Sequence, residues 1–147
     1  MAINKDYEGR SYPASEPYEV SRVKIAEFAE AIGDANPLYT NVAAARAAGY
    51  PDVIAPPTFP IVISMVASRS AVGDPGLGLN YAMVVHGEQK FTYSRPLHAG
   101  DVVTAHTTIT SIRQAKSLTM VTTETEIRAA DGEHVCTSTG TLVERGE

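Results

Sequence analysis

The sequence is poor in cysteine, with Cys136 as its only one among 147 residues. A single cysteine excludes an internal disulfide and every zinc site built from several cysteines. Long apolar runs are also missing. The longest, residues 59–67, contains Ser64 and is far shorter than the ~20 residues needed to span a bilayer. The sequence therefore predicts neither a disulfide-stabilised protein nor a membrane-spanning one.

Positive charge is scarce as well. Twelve Lys and Arg residues face 17 Asp and Glu residues, which gives a net charge of -5. Nucleic acids and acidic membranes both require a clustered basic face, so we expect neither as a partner. The four histidines lack metal-ligand spacing. The opening residues, MAINKDYEGR, lack the basic and then apolar run of a signal peptide, and we expect a cytoplasmic protein.

What is present is an ordinary globular composition, 44% hydrophobic and 20% charged, without repeats or low-complexity blocks. A chain of this length fits a single core, so we expect one domain over residues 1–147.

The first half of the chain has helical patterns. Apolar residues recur at helical spacing after Ser21, a favourable N-cap, and Gly33 is placed to end that helix. Asn41 is placed to cap a second, alanine-rich helix that Gly49 would end. Two helices are therefore predicted to flank the loop at residues 33–41.

A third helix is predicted from Thr58 as N-cap, through Pro60 in the first turn, to Ser70. The β-branched run at 61–63 is also compatible with a strand, but the length of the segment favours a helix. Apolar side chains surround most of it, so we expect burial on several sides, with Ile61, Met65 and Val66 in the core. The following stretch, VGDPGLGLN, predicts a flexible loop.

From Ala82 onward the hydrophobic period changes to two, and the runs at 89–94, 103–110 and 119–127 alternate as strands do. Residues 95–101 supply one turn, and Asp131-Gly132 is a strong hairpin signal. With a short extended piece at 9–18, this order predicts an α+β fold of hot-dog type. In that fold an antiparallel sheet wraps around one central buried helix.

The stretch GDANPLY, residues 33–39, resembles the signature G-D-x-N-P-hydrophobic-H of the MaoC-like (R)-specific enoyl-thioester hydratases and (3R)-hydroxyacyl dehydratases. Asp34 and Asn36 match in register, while Tyr39 stands at the histidine position. The segment AARAAGYPDVIAPPTF is similar to the family's second block, with Pro56 and Pro57 where His-Gly is usual. The segment HGEQKFTYSRPLHAGDVVTA resembles the strand-turn-strand of the family's N-terminal dehydratase-like domains.

The resemblance implies dehydration of a 3-hydroxyacyl thioester by an Asp and His pair, one removing the C2 proton and the other protonating the leaving hydroxyl. Asp34 is half of that pair, and Tyr39, with a phenol pKa near 10, is a poor base at neutral pH. Pro56 and Pro57 have no N–H to donate to an oxyanion. Locally, Asp34 and Asn36 are also explained as turn-forming side chains, and Tyr39 as a wall residue whose hydroxyl is satisfied.

This incomplete site resembles that of the HadA-type subunits of actinobacterial (3R)-hydroxyacyl-ACP dehydratases, which shape the acyl channel beside a catalytic HadB-type partner. The resemblance implies an acyl-ACP or acyl-CoA thioester as ligand, a homodimer or a HadB-type heterodimer, and no cofactor or metal. The motif gives Asp34 and Asn36 as catalytic candidates. The candidates for substrate binding are Tyr39, Pro56, Pro57, Thr58, Ile61, Met65 and His86.

Two alternatives stay open. The first is a self-sufficient homodimeric hydratase in which Asp34 acts with Tyr39 or with a histidine, His86 first. The second is a non-enzymatic acyl-thioester-binding protein.

Overall fold

The computed structural model describes residues 2–146. Four helices and five strands form its framework. The helices are α1 (Arg22–Ala31), α2 (Val42–Ala47), α3 (Pro60–Ala67) and α4 (Arg69–Val72), and the strands are β1 (Tyr18–Glu19), β2 (Val84–Tyr93), β3 (Val102–Ala115), β4 (Leu118–Ala129) and β5 (His134–Arg145). Short 3-10 turns lie at Lys5–Tyr7, Pro37–Tyr39 and Tyr81–Met83.

The strands form one sheet in the order β1-β3-β4-β5-β2, antiparallel throughout. Helix α3 packs across β3, β4 and β5 on one face of this sheet. The predicted alternation is confirmed, because Val103, Ala105, Thr107 and Ile109 are buried and the residues between them are more exposed. The α+β architecture predicted from the change of period is therefore confirmed.

The predicted ends of the first two helices are confirmed. The Ser21 hydroxyl accepts the Lys24 N–H and starts α1, and Asn41 Oδ1 accepts the Ala44 N–H and starts α2. Gly33 and Gly49 both have positive φ, at 70° and 95°, and each follows the last turn of its helix. The loop at 33–41 is thus fixed at both ends.

Pro60 lies in the first turn of the third helix, as predicted, but the predicted cap and end of this helix are wrong. Phe59 occupies the N-cap position of α3, with helical φ and ψ of -54° and -34° and no side-chain cap. Thr58 cannot cap because the chain already turns there, closed by the Phe59 N–H donating to the Pro56 carbonyl at 2.9 Å. At the other end the helix breaks at Ser68, whose hydroxyl donates back to the Met65 carbonyl, an interaction that competes with helical hydrogen bonds.

The prediction that this helix is buried on several sides is also wrong for the single chain. Ile63 and Ala67 face the sheet and are buried, but Met65 and Val66 on the outer face are 55% and 53% exposed. Ile61 is half-buried. A single curved sheet covers one side of α3, so the outer apolar side faces solvent in the isolated chain.

The loop at 73–80 is anchored, in contrast to the flexible loop that its glycines predict. The Asn4 N–H donates to the Leu77 carbonyl at 2.8 Å, and the Tyr12 hydroxyl donates to Asp74 at 3.0 Å. Leu77 is buried with Ile3 and Tyr12 in a second apolar cluster. The N-terminal segment, which also pairs with β3 at Ser11↔Thr108, therefore holds this loop in place.

No helix within residues 2–146 is long and apolar enough to cross a membrane.

Candidate functional site

The motif loop presents Asp34 and Asn36 to solvent. Asp34 Oδ1 accepts the Asn36 N–H at 3.1 Å, and Asn36 Oδ1 accepts the Leu38 N–H at 3.0 Å. Both side chains therefore form consecutive turns of the kind that aspartate and asparagine favour. Only one oxygen of each side chain is used in these turns, so the second carboxylate oxygen of Asp34 lies outside them.

Tyr39 lies beside this loop but is buried, with 6% of its surface exposed. Burial, and after it the nearby Asp34 carboxylate, raises the pKa of Tyr39 above its usual value. The phenol therefore keeps its proton at neutral pH and acts as a hydrogen-bond donor, not as a base. The motif spacing correctly places Tyr39 next to Asp34.

Tyr93 and Cys136 complete this group from the sheet. The Tyr93 hydroxyl donates to the Pro57 carbonyl at 2.7 Å, and Tyr93 pairs with Cys136 across β2 and β5. Burial, followed by the proximity of Cys136 and Tyr39, raises the pKa of Tyr93 well above its usual range. Burial raises the pKa of the Cys136 thiol to about 11. Three protonated groups thus surround the start of α3.

Sequence reasoning missed Tyr93 and Cys136 as members of this site. The alternation of β2 indicates that Tyr93 faces inward with Phe91 and Gln89. The contact with Tyr39 depends on how β2 pairs with β5, which the sequence does not specify.

The two prolines shape the start of α3. Pro56 is buried and Pro57 is exposed, and neither has an N–H. Among residues 56–61, the Phe59 and Ile61 N–H groups donate to the carbonyls of Pro56 and Thr58. The Thr58 N–H is the one donor of this segment that has no protein acceptor within the described chain. The start of α3 therefore offers few free backbone donors.

A cavity of about 880 Å³ follows α3 away from the motif loop. Its walls are α3, α4, the anchored loop and the inner faces of β2, β4 and β5, and it is partly open to solvent. Of the candidate residues, Ile61, Met65 and His86 line it, whereas Asp34, Asn36, Tyr39 and the segment 56–58 do not. The candidate residues therefore form two groups, one around the start of α3 and one along the cavity.

None of the four histidines, all of which the structure describes, bonds to Asp34. His86 Nε2 lies 3.0 Å from the Glu88 carbonyl, His98 contacts Asp101, and His134 bonds Ser94 and Thr137. His106 is exposed on β3. Within residues 2–146 no three His, Cys, Asp or Glu side chains cluster as metal ligands do.

Comparison with known proteins identifies the family. A family model described as "FAS1-like, dehydratase domain region" matches residues 7–138. A UPF0336 protein of Thermobifida fusca is 59% identical over 147 residues, which cover 100% of this chain and 97% of that protein. The chain belongs to the FAS1-like dehydratase-region family.

Solved structures show the same fold. A MaoC-like dehydratase matches with a TM-score of 0.90 and 30% identity over 97% of this chain, but over only 43% of that longer chain. The truncated HadBC (3R-hydroxyacyl-ACP dehydratase) complex of Mycobacterium tuberculosis matches with a TM-score of 0.83 and 26% identity. That match covers 94% of this chain and 97% of the other. The predicted MaoC-like hot-dog fold is confirmed.

Proposed function

We propose that this member of the FAS1-like dehydratase family is a HadA-type, acyl-chain-binding subunit of a (3R)-hydroxyacyl-thioester dehydratase. In this proposal the chain is one cytoplasmic hot-dog domain, and its HadB-type partner supplies the complete Asp and His pair. The observation that carries the proposal is that one chain has both an 880 Å³ cavity along α3 and, outside its lining, a motif that keeps Asp34 but has buried Tyr39 at the histidine position.

The chemistry of the motif group supports a divided reaction. Dehydration needs one group that takes the C2 proton and one that gives a proton to the leaving hydroxyl. Tyr39, Tyr93 and Cys136 all have raised pKa values, so none of them is a base at neutral pH. Asp34 is the ionisable carboxylate of this group, and without a histidine it lacks a second member of the pair.

The cavity supports the substrate class. Its volume lies within the range of small-molecule sites, and its lining extends from Ile61 on α3 to Arg69 on α4. A thioester at the start of α3, near the Thr58 N–H, would direct an acyl chain along this path. The carrier is acyl carrier protein or coenzyme A, and the reaction is the dehydration step of fatty acid or mycolic-type chain elongation.

The surface beside the cavity supports a partner protomer. Met65, Val66 and Tyr81 are large exposed apolar residues on or next to its rim. Strand β2 is the end strand of the sheet, so one of its edges has no neighbouring strand. A second hot-dog subunit pairing along β2 would cover both features. The related HadBC structure is itself a complex.

The self-sufficient alternative has Asp34 act with Tyr39 or with a histidine, His86 first. Tyr39 has a raised pKa and keeps its proton at neutral pH. His86 lines the cavity, and its ring is held at the Glu88 carbonyl, whereas Asp34 lies outside the cavity lining. The binding-protein alternative agrees with the same cavity and differs only in the absence of turnover.

Hydration of crotonyl-CoA and of a long-chain enoyl-CoA distinguishes these functions. The purified chain is assayed alone and after co-expression with a HadB-type protein that carries the complete G-D-x-N-P-x-H motif. We expect turnover of the pair to exceed that of the chain alone by ~100-fold or more, the usual contribution of acid-base catalysis. Equal turnover by the chain alone would contradict the proposal, and saturable binding without turnover in either state would favour the binding-protein alternative.

A further inference from the structure

Four of the five buried polar residues in the described chain lie together in the middle of the inner sheet face and on the helix above it. Thr107, Thr125 and Ser138 are directly opposite one another on β3, β4 and β5, and are 1%, 2% and 3% exposed. Ser64 is placed over them by α3. We refer to Ser64, Gln89, Thr107, Thr125 and Ser138 as the polar band.

The polar band is joined by hydrogen bonds from sheet to helix. Gln89 Nε2 donates to Ser138 Oγ at 2.8 Å, and Ser138 Oγ donates to Ser64 Oγ at 3.0 Å. Thr107 Oγ1 and Thr125 Oγ1 lie 2.8 Å apart. Burying a hydroxyl group costs free energy, and these hydrogen bonds do no more than offset that cost. Apolar side chains would therefore fill this part of the core equally well.

The inner sheet face on either side of the polar band is mostly apolar, with Thr123 on β4 as a polar neighbour. Ala105, Ile127 and Cys136 form the row towards the motif loop, and Val121 and Leu142 lie towards the other end. A cavity for an unsubstituted acyl chain would be apolar throughout. The polar band therefore places buried hydrogen-bonding groups in the middle of a mostly apolar inner sheet face.

Gln89 has hydrogen-bonding capacity that faces the cavity. Its amide offers two N–H donors and an oxygen acceptor, and one N–H is used by Ser138. Gly140 leaves room for the amide, because a Cβ there would lie 3.0 Å from Gln89 Oε1. Gln89, Ser138 and Ser64 all line the cavity, so a ligand in it reaches both donors and acceptors.

The position of the polar band sets where a ligand group would lie. Gln89 is four residues along β2 from Tyr93, which is about 13 Å at the usual strand rise. A thioester near Tyr93 and Pro57 would bring carbons well beyond C3 to this level.

We propose that the polar band binds a hydroxyl group carried on the acyl chain, several carbons beyond the reacting C2 and C3 atoms. The preferred ligand is thus a hydroxylated acyl thioester, because a hydroxyl both donates and accepts as the Gln89 amide and the Ser138 hydroxyl do. This inference rests on the proposed acyl-thioester function and adds the substrate class to it.

Calorimetric binding tests the inference on the full chain, alone and in the co-expressed pair. The probes are dodecanoyl-CoA and a set of isomers in which one added hydroxyl is moved along the chain beyond C3. We expect one or two adjacent positions to bind about tenfold more tightly than dodecanoyl-CoA. Gln89→Leu should remove that gain, so that within this variant no hydroxylated isomer binds more tightly than dodecanoyl-CoA.

Gln114→Leu, at an exposed glutamine of β3, is the matched control and should keep the wild-type preference. Ser138→Ala provides a second variant, which should reduce the gain. Tighter binding of dodecanoyl-CoA than of every hydroxylated isomer would overturn this inference and leave the proposed function standing. Failure of wild type to bind any of the probes would overturn both.

Discussion

Asp101→Asn is expected to destabilise the fold more than any exposed charge change. Asp101 is 7% exposed and accepts two hydrogen bonds of 2.9 Å from the Arg95 guanidinium and one from the His98 N–H. Arg95 in turn reaches Glu133 at 3.0 Å. This network joins the turn before β3 to the hairpin between β4 and β5, and asparagine would keep its shape while removing the charge.

Hydrogen bonds to charged groups contribute about 1.5–3 kcal/mol each, and asparagine retains one acceptor oxygen. Arg95 is a quarter exposed, so water replaces part of what is lost. We therefore expect the free energy of unfolding to fall by about 2–3 kcal/mol. For a chain of this size, that corresponds to a Tm about 6–10 °C lower.

The loss should depend on pH. Burial alone would raise the pKa of Asp101, but the Arg95 hydrogen bonds, the His98 N–H and the neighbouring positive charges lower it below the usual 3.8. The stabilisation is therefore complete above pH 3.8 and disappears as the pH falls through the lower pKa of the folded state. Wild type and Asp101→Asn should therefore begin to converge in stability only below pH 3.8, as the pH approaches the lower pKa of the folded state.

Urea unfolding followed by circular dichroism across this pH range measures the difference. Glu27→Gln is the control, since Glu27 makes only an exposed contact of 3.8 Å with Lys24 and should not change stability measurably. The reasoning is refuted if Asp101→Asn loses no more stability at neutral pH than this control. It is also refuted if the stability difference between wild type and Asp101→Asn grows as the pH falls.

Two further predictions concern the core and the partner surface. Phe59 is fully buried, with the centre of its ring 5.4 Å from that of Phe28. Phe59→Ala should therefore lower the free energy of unfolding by about 3–5 kcal/mol in the same urea assay. A loss below about 1 kcal/mol would contradict the role of Phe59 in the core. Val66→Asp should convert homodimers or heterodimers to monomers in size-exclusion chromatography with light scattering, while Val23→Asp, at a more exposed position on α1, should not. If Val66→Asp leaves the assembly unchanged, the proposal that a partner protomer covers this surface is wrong.

The parts of the fold that follow from local chemistry were predictable. The caps at Ser21 and Asn41, the glycine terminators and the alternation of β3 depend on neighbours in sequence, and all are confirmed. The errors concern α3. Apolar residues on nearly every side of α3 predict that the whole helix is buried. How many sides the sheet covers depends on the whole fold, and here Met65 and Val66 remain exposed.

The candidate site was predictable only where the sequence brings its members together. The motif spacing places Asp34 beside Tyr39. Tyr93 reaches Pro57, and Gln89 reaches Ser138, through pairing of β2 with β5 and the position of α3 over the sheet. These contacts join distant residues, and strand register decides them. No pattern of neighbouring residues in the sequence predicts the cavity.

The effect of Asp34→Ala on the co-expressed pair tests most directly the claim that the partner, and not this chain, supplies the catalytic acid and base. The matched variant replaces the motif aspartate of the HadB-type partner with alanine, and both are assayed with the same enoyl-CoA. We expect Asp34→Ala to keep kcat within about tenfold of the wild-type pair, whereas the partner variant should lose ~100-fold or more. A loss of that size in Asp34→Ala, with the partner variant active, would contradict it.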